Sequence, residues 1–137
     1  MPTTGETLAG IYDDWRRGNL DAFLATLAED VEYTIHVPPS MIPVGGTVRG
    51  RDATADRFRS IVRDYQMLEF ENGDFLVNGD AGATRVHMRY IHRPTGEVLD
   101  TTAMHHWRLA NGRVVLIEEF HDIEPVHEFG RRCGFCA

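Results

Sequence analysis

Residues 98–122 read VLDTTAMHHWRLANGRVVLIEEFHD, and this stretch decides the fold. Two runs rich in β-branched and aromatic residues flank Asn111-Gly112. Asn-Gly is the strongest short hairpin signal, because both residues accept the positive φ that a type I′ turn needs. A two-residue turn sets Ala110 opposite Arg113, and every later pair follows: Leu109 with Val114, Trp107 with Leu116, His105 with Glu118, Thr101 with Asp122. Strand alternation then sorts the side chains. One face carries Thr101, Ala103, His105, Trp107 and Leu109 with Val114, Leu116, Glu118, Phe120 and Asp122. The other carries Thr102, Met104, His106 and Arg108 with Val115, Ile117, Glu119 and His121. The first face is apolar near the turn and gathers its titratable groups, His105, Glu118 and Asp122, at the far end. An apolar wall that ends in a few convergent polar groups is how small-molecule sites are built.

Upstream, the chain alternates signals for helix and strand. Residues 3–17 have helical period: Thr3 and Glu6 are spaced as a capping box, Leu8, Ile11, Tyr12 and Trp15 share a face, and Gly18 ends the run. A second helix is expected over about 20–28, with Leu20, Phe23, Leu24 and Leu27 on one side. Val31, Tyr33, Ile35 and Val37 alternate inward along a strand that Pro38-Pro39 stops. Residues 38–51 show no period and are expected to be loop. Asp52 then caps a helix to about Tyr65, its buried stripe being Ala55, Phe58, Val62 and Tyr65. Four strands follow, at about 67–77, 81–93, 97–110 and 113–122. The turn at Thr95-Gly96 puts Val86, Met88 and Tyr90 on the face of His105 and Trp107. Around Asn78-Gly79-Asp80 a two-residue turn sends Glu69 and Glu71 inward, whereas a three-residue loop with a bulge sends Leu68 and Phe70 inward; the second is preferred. The order helix, helix, strand, helix, meander predicts an α+β roll with a pocket between helices and sheet.

Composition narrows the chemistry. The 137 residues are 42% hydrophobic and 26% charged, the make-up of one globular domain. A net charge of −7 opposes nucleic acid or an anionic membrane as partner. No apolar run approaches the length of a span and no basic leader precedes an apolar segment, so a cytoplasmic location is expected. All 14 basic residues are Arg. Without Lys there is no Schiff-base nucleophile and no P-loop. Ser40 and Ser60 stand in no nucleophile elbow. Seven His offer proton transfer near neutral pH. Cys133-Gly-Phe-Cys136 has redox or half-zinc spacing, but it ends the chain and lacks two further ligands, so residues 123–137 are expected to be a frayed tail. His36 with His87 or His92 has no ligand spacing, and no metal is expected.

Three segments then resemble one family. Gly18–Val31, GNLDAFLATLAEDV, is similar to its "GDLDALLALLADDV" segment. Gly46–Ala53, GTVRGRDA, is similar to its "GTYRGRDA". Trp107–Val114, WRLANGRV, followed by Glu119–Asp122, EFHD, is similar to its "FRVxDGKI" turn and final "ExxD". These identify the chain as resembling the nuclear-transport-factor-2-like superfamily, in particular its SnoaL-like and ketosteroid-isomerase-like members. The resemblance implies one SnoaL-like domain over 1–137: a cone-shaped roll of curved antiparallel sheet wrapped by three N-terminal helices. Ketosteroid isomerases use a Tyr, an Asp base and a protonated Asp; those positions fall on Ile11, Ile35 and His105, so that pattern only partly survives. Tyr12, beside the first, is expected to rotate away. The last-strand acid/base of SnoaL-like cyclases falls on Asp122. Scytalone-dehydratase-like members have His-rich pockets and an "HW" pair like His106-Trp107.

The expected function is cofactor-free proton transfer (isomerase, cyclase or dehydratase) on a small apolar or aromatic oxygenated molecule. His105 and Asp122 are expected to touch the reacting atoms, and Glu118 to orient His105. Trp15, Tyr33, Ile35, Phe58, Met88, Tyr90, Trp107 and Phe120 are expected to wall the substrate. The alternative is a binding or dimerising domain without catalysis. A homodimer is expected through the outer sheet face, which would carry Met104, His106, Val115 and Ile117.

Overall fold

The computed structural model describes residues 2–137. Helix α1, Thr4–Arg16, starts on the expected capping box: Thr3 accepts from the Glu6 N–H and Glu6 from the Thr3 N–H. Gly18, at φ +71°, closes it with a Gly18 N–H bond to the Trp15 carbonyl. Helix α2 is only Leu20–Leu24, because the chain turns at Ala25-Thr26 and β1, Leu27–Ile35, begins earlier than its period suggested. The segment expected to be all loop contains a short strand, β2, Gly46–Arg49, antiparallel to β1. Helix α3, Arg51–Asp64, is preceded by Gly50 rather than capped by Asp52. It buries Thr54, Ala55 and Phe58, while Val62 faces solvent and Ile61 takes its place inward.

The remaining strands are β3, Tyr65–Asn72, β4, Leu76–Asn78, β5, Ala81–His92, β6, Val98–Ala110, and β7, Arg113–His121. They join in the order β2-β1-β7-β6-β5-β3, with β4 also paired to β5. All pairs are antiparallel except β1 with β7, so the sheet is mixed rather than wholly antiparallel. Val31, Tyr33, Ile35 and Val37 are buried as the alternation required, as are Val86, Met88 and Tyr90. A bulge falls between Met67 and Glu69: Leu68 is exposed, and Phe70 is the neighbour that reaches the interior.

Residues 123–137 are not a frayed tail. Ile123–Cys133 form helix α4, whose Val126 and Phe129 are fully buried. Spacings of three and then four residues between Val126, Phe129 and Cys133 give α4 its inward face. It packs so closely on the 38–44 segment that a Cβ on Gly130 would lie 2.4 Å from the Met41 carbonyl oxygen. Among the described residues no helix is long and apolar enough to cross a membrane.

Candidate active site

The Asn111-Gly112 turn forms as expected, with φ of +53° and +75°. Ala110 faces Arg113 and Leu109 faces Val114. Beyond that pair the register changes, because a β-bulge inserts one residue in β7 and sets Arg108 opposite Leu116. An extra residue flips every later side chain to the other face. His105 therefore pairs with Glu119, not Glu118, and Ala103 pairs with His121. On β6 the faces stand: His105 and Trp107 point inward and are buried, while Met104 is exposed.

Three expected site residues are displaced by this shift. Glu118 lies on the outer face, between His36 at 2.8 Å and His106 at 3.1 Å, and the two imidazoles hold its carboxyl below the usual range. Phe120 is 46% exposed and stacks on His36 instead of walling the pocket. Asp122 is exposed and stands at the start of α4. In their place the bulge turns Ile117, Glu119 and His121 into the concave interior, beside Ile11, Tyr12 and Phe70. Trp15, Tyr33, Ile35, Phe58, Met88, Tyr90 and Trp107 line the same cavity.

The cavity holds about 100 Å³, somewhat less than the ~150 Å³ of an apolar cavity that takes up benzene. Its surface is mostly aromatic. Tyr33 stacks on Phe58 at 4.5 Å, and the Arg57 guanidinium lies 5.4 Å from the Tyr33 ring centre. Trp15 Nε1 donates to Tyr90 Oη at 2.9 Å. Burial pushes the phenols of Tyr12, Tyr33 and Tyr90 well up, so all three remain protonated donors.

At one end the polar groups form two hydrogen-bonded runs that face each other. Trp107 Nε1 donates to Tyr12 Oη at 2.9 Å, and Tyr12 Oη lies 2.6 Å from His105 Nδ1. Tyr12 accepts from the indole, so its own proton goes to His105 Nδ1, and the neutral ring carries its hydrogen on Nε2. Nε2 is 3.8 Å from Glu119 Oε1, too long for a hydrogen bond, and is a buried donor with no partner. The same Oε1 accepts from His121 Nε2 at 2.9 Å, while Tyr33 donates to the other carboxylate oxygen. His121 Nδ1, the nitrogen not engaged by Glu119, is also buried and unpartnered; in the neutral tautomer with Nε2 donating it carries a lone pair.

Burial opposes charge on Glu119, but the His121 bond, the facing His105 and the Tyr33 hydroxyl outweigh it and hold the carboxyl down at about 2. For His105 burial wins over the attraction of Glu119, and its pKa falls. The consistent state is a Glu119 carboxylate with neutral His105. The arrangement offers an N–H donor on His105 and, in the neutral tautomer of His121, a lone pair at Nδ1, on two rings either side of one carboxylate oxygen. Among the described residues no group of three or more His, Cys, Asp or Glu is placed to hold a metal ion.

Sequence reasoning put His105 on the cavity side, where it lies, and put Glu119 and His121 on the outer face and Tyr12 away from the cavity that all three line. Tyr12 sits one position from the family's helix-one Tyr, and Glu119 and His121 lie inside the quoted EFHD segment. Only the bulge separates their expected and observed faces.

The model of the SnoaL-like domain family matches residues 8–117. A solved NTF2-like protein from Burkholderia thailandensis is 25% identical, with 94% of this chain and 98% of that one covered and a TM-score of 0.81. An NTF2-like protein of unknown function from Burkholderia pseudomallei is 28% identical over 96% and 97%, with a TM-score of 0.79. TerC, solved with polyporic acid, shares the fold at 19% identity, over 93% and 98%, with a TM-score of 0.76. Among curated proteins nothing matches.

Proposed function

This chain belongs to the SnoaL-like domain family, and from that premise we propose that it is a small-molecule enzyme working by proton transfer on an apolar, oxygenated substrate. One observation carries this: two imidazoles stand against the same Glu119 oxygen, His105 through Nε2 at 3.8 Å and His121 through Nε2 at 2.9 Å, and His105 Nε2 and His121 Nδ1 are buried without a partner. Leaving buried polar groups unmet costs roughly 1–3 kcal/mol each, so two such groups on residues that line one cavity support a ligand as their partner. TerC's co-crystal with polyporic acid supports small-molecule binding as the use of such a cone.

The chemistry follows from the tautomers. His121 Nδ1 removes a proton from carbon next to a carbonyl, and Glu119 on Nε2 holds the ring in place and stabilises the imidazolium that forms. His105 Nε2–H donates to the carbonyl oxygen as negative charge develops there. Tyr12 and Trp107 keep the His105 proton on Nε2, the nitrogen on the Glu119 side. Return of the proton at another carbon completes an isomerisation; delivered instead to a β-hydroxyl as the C–O bond breaks, it lets water leave and completes a dehydration.

The test is exchange of α-protons from small cyclic ketones in D₂O, followed by NMR. His105→Ala and His121→Ala should each slow exchange roughly 10²–10⁴-fold, and His106→Ala on the outer face should leave it unchanged. Unaltered exchange in both inner variants would leave a binding module. We also place a homodimer interface on the outer sheet face. Ile117 is withdrawn from that face by the bulge, but Met104, 41% exposed, stays there and Phe120, 46% exposed, joins it. A monomer in sedimentation at micromolar concentration would refute it.

A further inference from the structure

Beside the catalytic cavity lies a second chamber, of about 170 Å³, whose walls include Arg16 and Arg93. The two chambers share Trp15, Ile61, Tyr65 and Tyr90 as their partition. We propose that this outer chamber receives an anionic tail of the substrate, held by the Arg93 guanidinium, while the apolar oxygenated head occupies the inner cavity.

Size is the first argument. An inner cavity of about 100 Å³ holds no more than one small ring, so a larger substrate extends beyond it, and the outer chamber adjoins it across the partition. The Trp15–Tyr90 hydrogen bond and the edge contact of Tyr65 on Tyr90, with ring centres 6.3 Å apart, form a wall of side chains that can part by rotation.

Charge is the second. The inner end already holds a buried Glu119 carboxylate, so a second anion there would be repelled in a low dielectric. The outer chamber has the opposite sign. Arg16 is already engaged, by Asp13, by Asn72 and by the Phe70 carbonyl. Arg93 is not: among the described residues its side chain makes no ion pair or hydrogen bond. Its backbone N–H is fixed on the Asp64 carbonyl, and the Asp64 carboxylate is taken up by Arg63 through both oxygens at 2.9 Å. A free guanidinium therefore lines the chamber, with its fork open to a carboxylate or phosphate. The substrate class is an amphiphile: a small ketone or phenol ring on a short chain ending in an anion. This rests on the enzyme reading for the head group only.

The experiment is calorimetric titration of ω-(4-hydroxyphenyl)alkanoates with two to six methylenes, beside the matched alkanols. In the wild type, the acids should bind roughly three- to tenfold more tightly than the alcohols at the best chain length, less so at high salt. Arg93→Gln should remove that preference, and Arg93→Lys should keep most of it. Equal affinity of acids and alcohols, a preference that survives Arg93→Gln, or no binding by either series would overturn the proposal. A tail preference without α-proton exchange would remove the catalytic reading and leave the outer chamber standing.

Discussion

Replacing Glu119 by Gln keeps the shape of the side chain and deletes the charge on which one of the two polar runs is assembled. In the native protein this carboxylate accepts from Tyr33 and His121 and faces His105, almost fully buried. Its pKa drops from the ordinary 4.5 to about 2, and that gap is worth ~3 kcal/mol of folding stability at neutral pH. The sign follows from the depressed value. The unfolded chain takes up the proton first as pH falls, so the stabilisation is complete above about 4.5 and is lost between there and about 2. Gln retains none of this and turns an amide N–H₂ toward groups that are themselves donors. Urea unfolding should therefore show Glu119→Gln less stable by roughly 3 kcal/mol at pH 7, the difference shrinking steadily below pH 4.5. Coincident midpoints at pH 7, or a difference that persists unchanged at pH 3, would refute the buried carboxylate chain.

Tyr12→Phe should cost about 1–3 kcal/mol in the same assay, since it strands both the Trp107 indole N–H and His105 Nδ1. It should also release the His105 tautomer, visible as a change in imidazole ¹⁵N shifts; an unchanged spectrum would break the relay. Gly130→Ala sets helix propensity, a gain of roughly 1 kcal/mol, against a Cβ 2.4 Å from the Met41 carbonyl. Because the obstacle is backbone, the clash should win by about 1–3 kcal/mol, and a stabilised variant would show that α4 does not seat there.

Much of this molecule is legible in local chemistry. The capping box on α1, the positive φ at Gly18, and the Asn111-Gly112 turn each depend on a few adjacent residues, and each forms where expected. Because β6 is long and anchored on that turn, parity alone placed His105 and Trp107 inside. β7 is different. Its run Val-Val-Leu-Ile-Glu-Glu-Phe-His reads equally well in either parity: Leu116 or Ile117 can be buried, and Glu118 or Glu119 can face in. No pattern of side chains in the strand breaks that tie. Tertiary structure breaks it through partners far away in sequence. β1 pairs in parallel with β7 and sets Tyr33 beside Ile117 and Ile35 beside Glu119, and the small Ala103 leaves room for His121. The bulge is the local cost of meeting those partners. The same is true of the C-terminal residues, whose helical period yields a stable helix only because the Met41 segment, Tyr65 and His92 are there to cover Phe129 and Gly130. Turns and caps are short-range and belong to the sequence; the face a strand shows and the packing of a last helix are long-range, and only the assembled fold decides them.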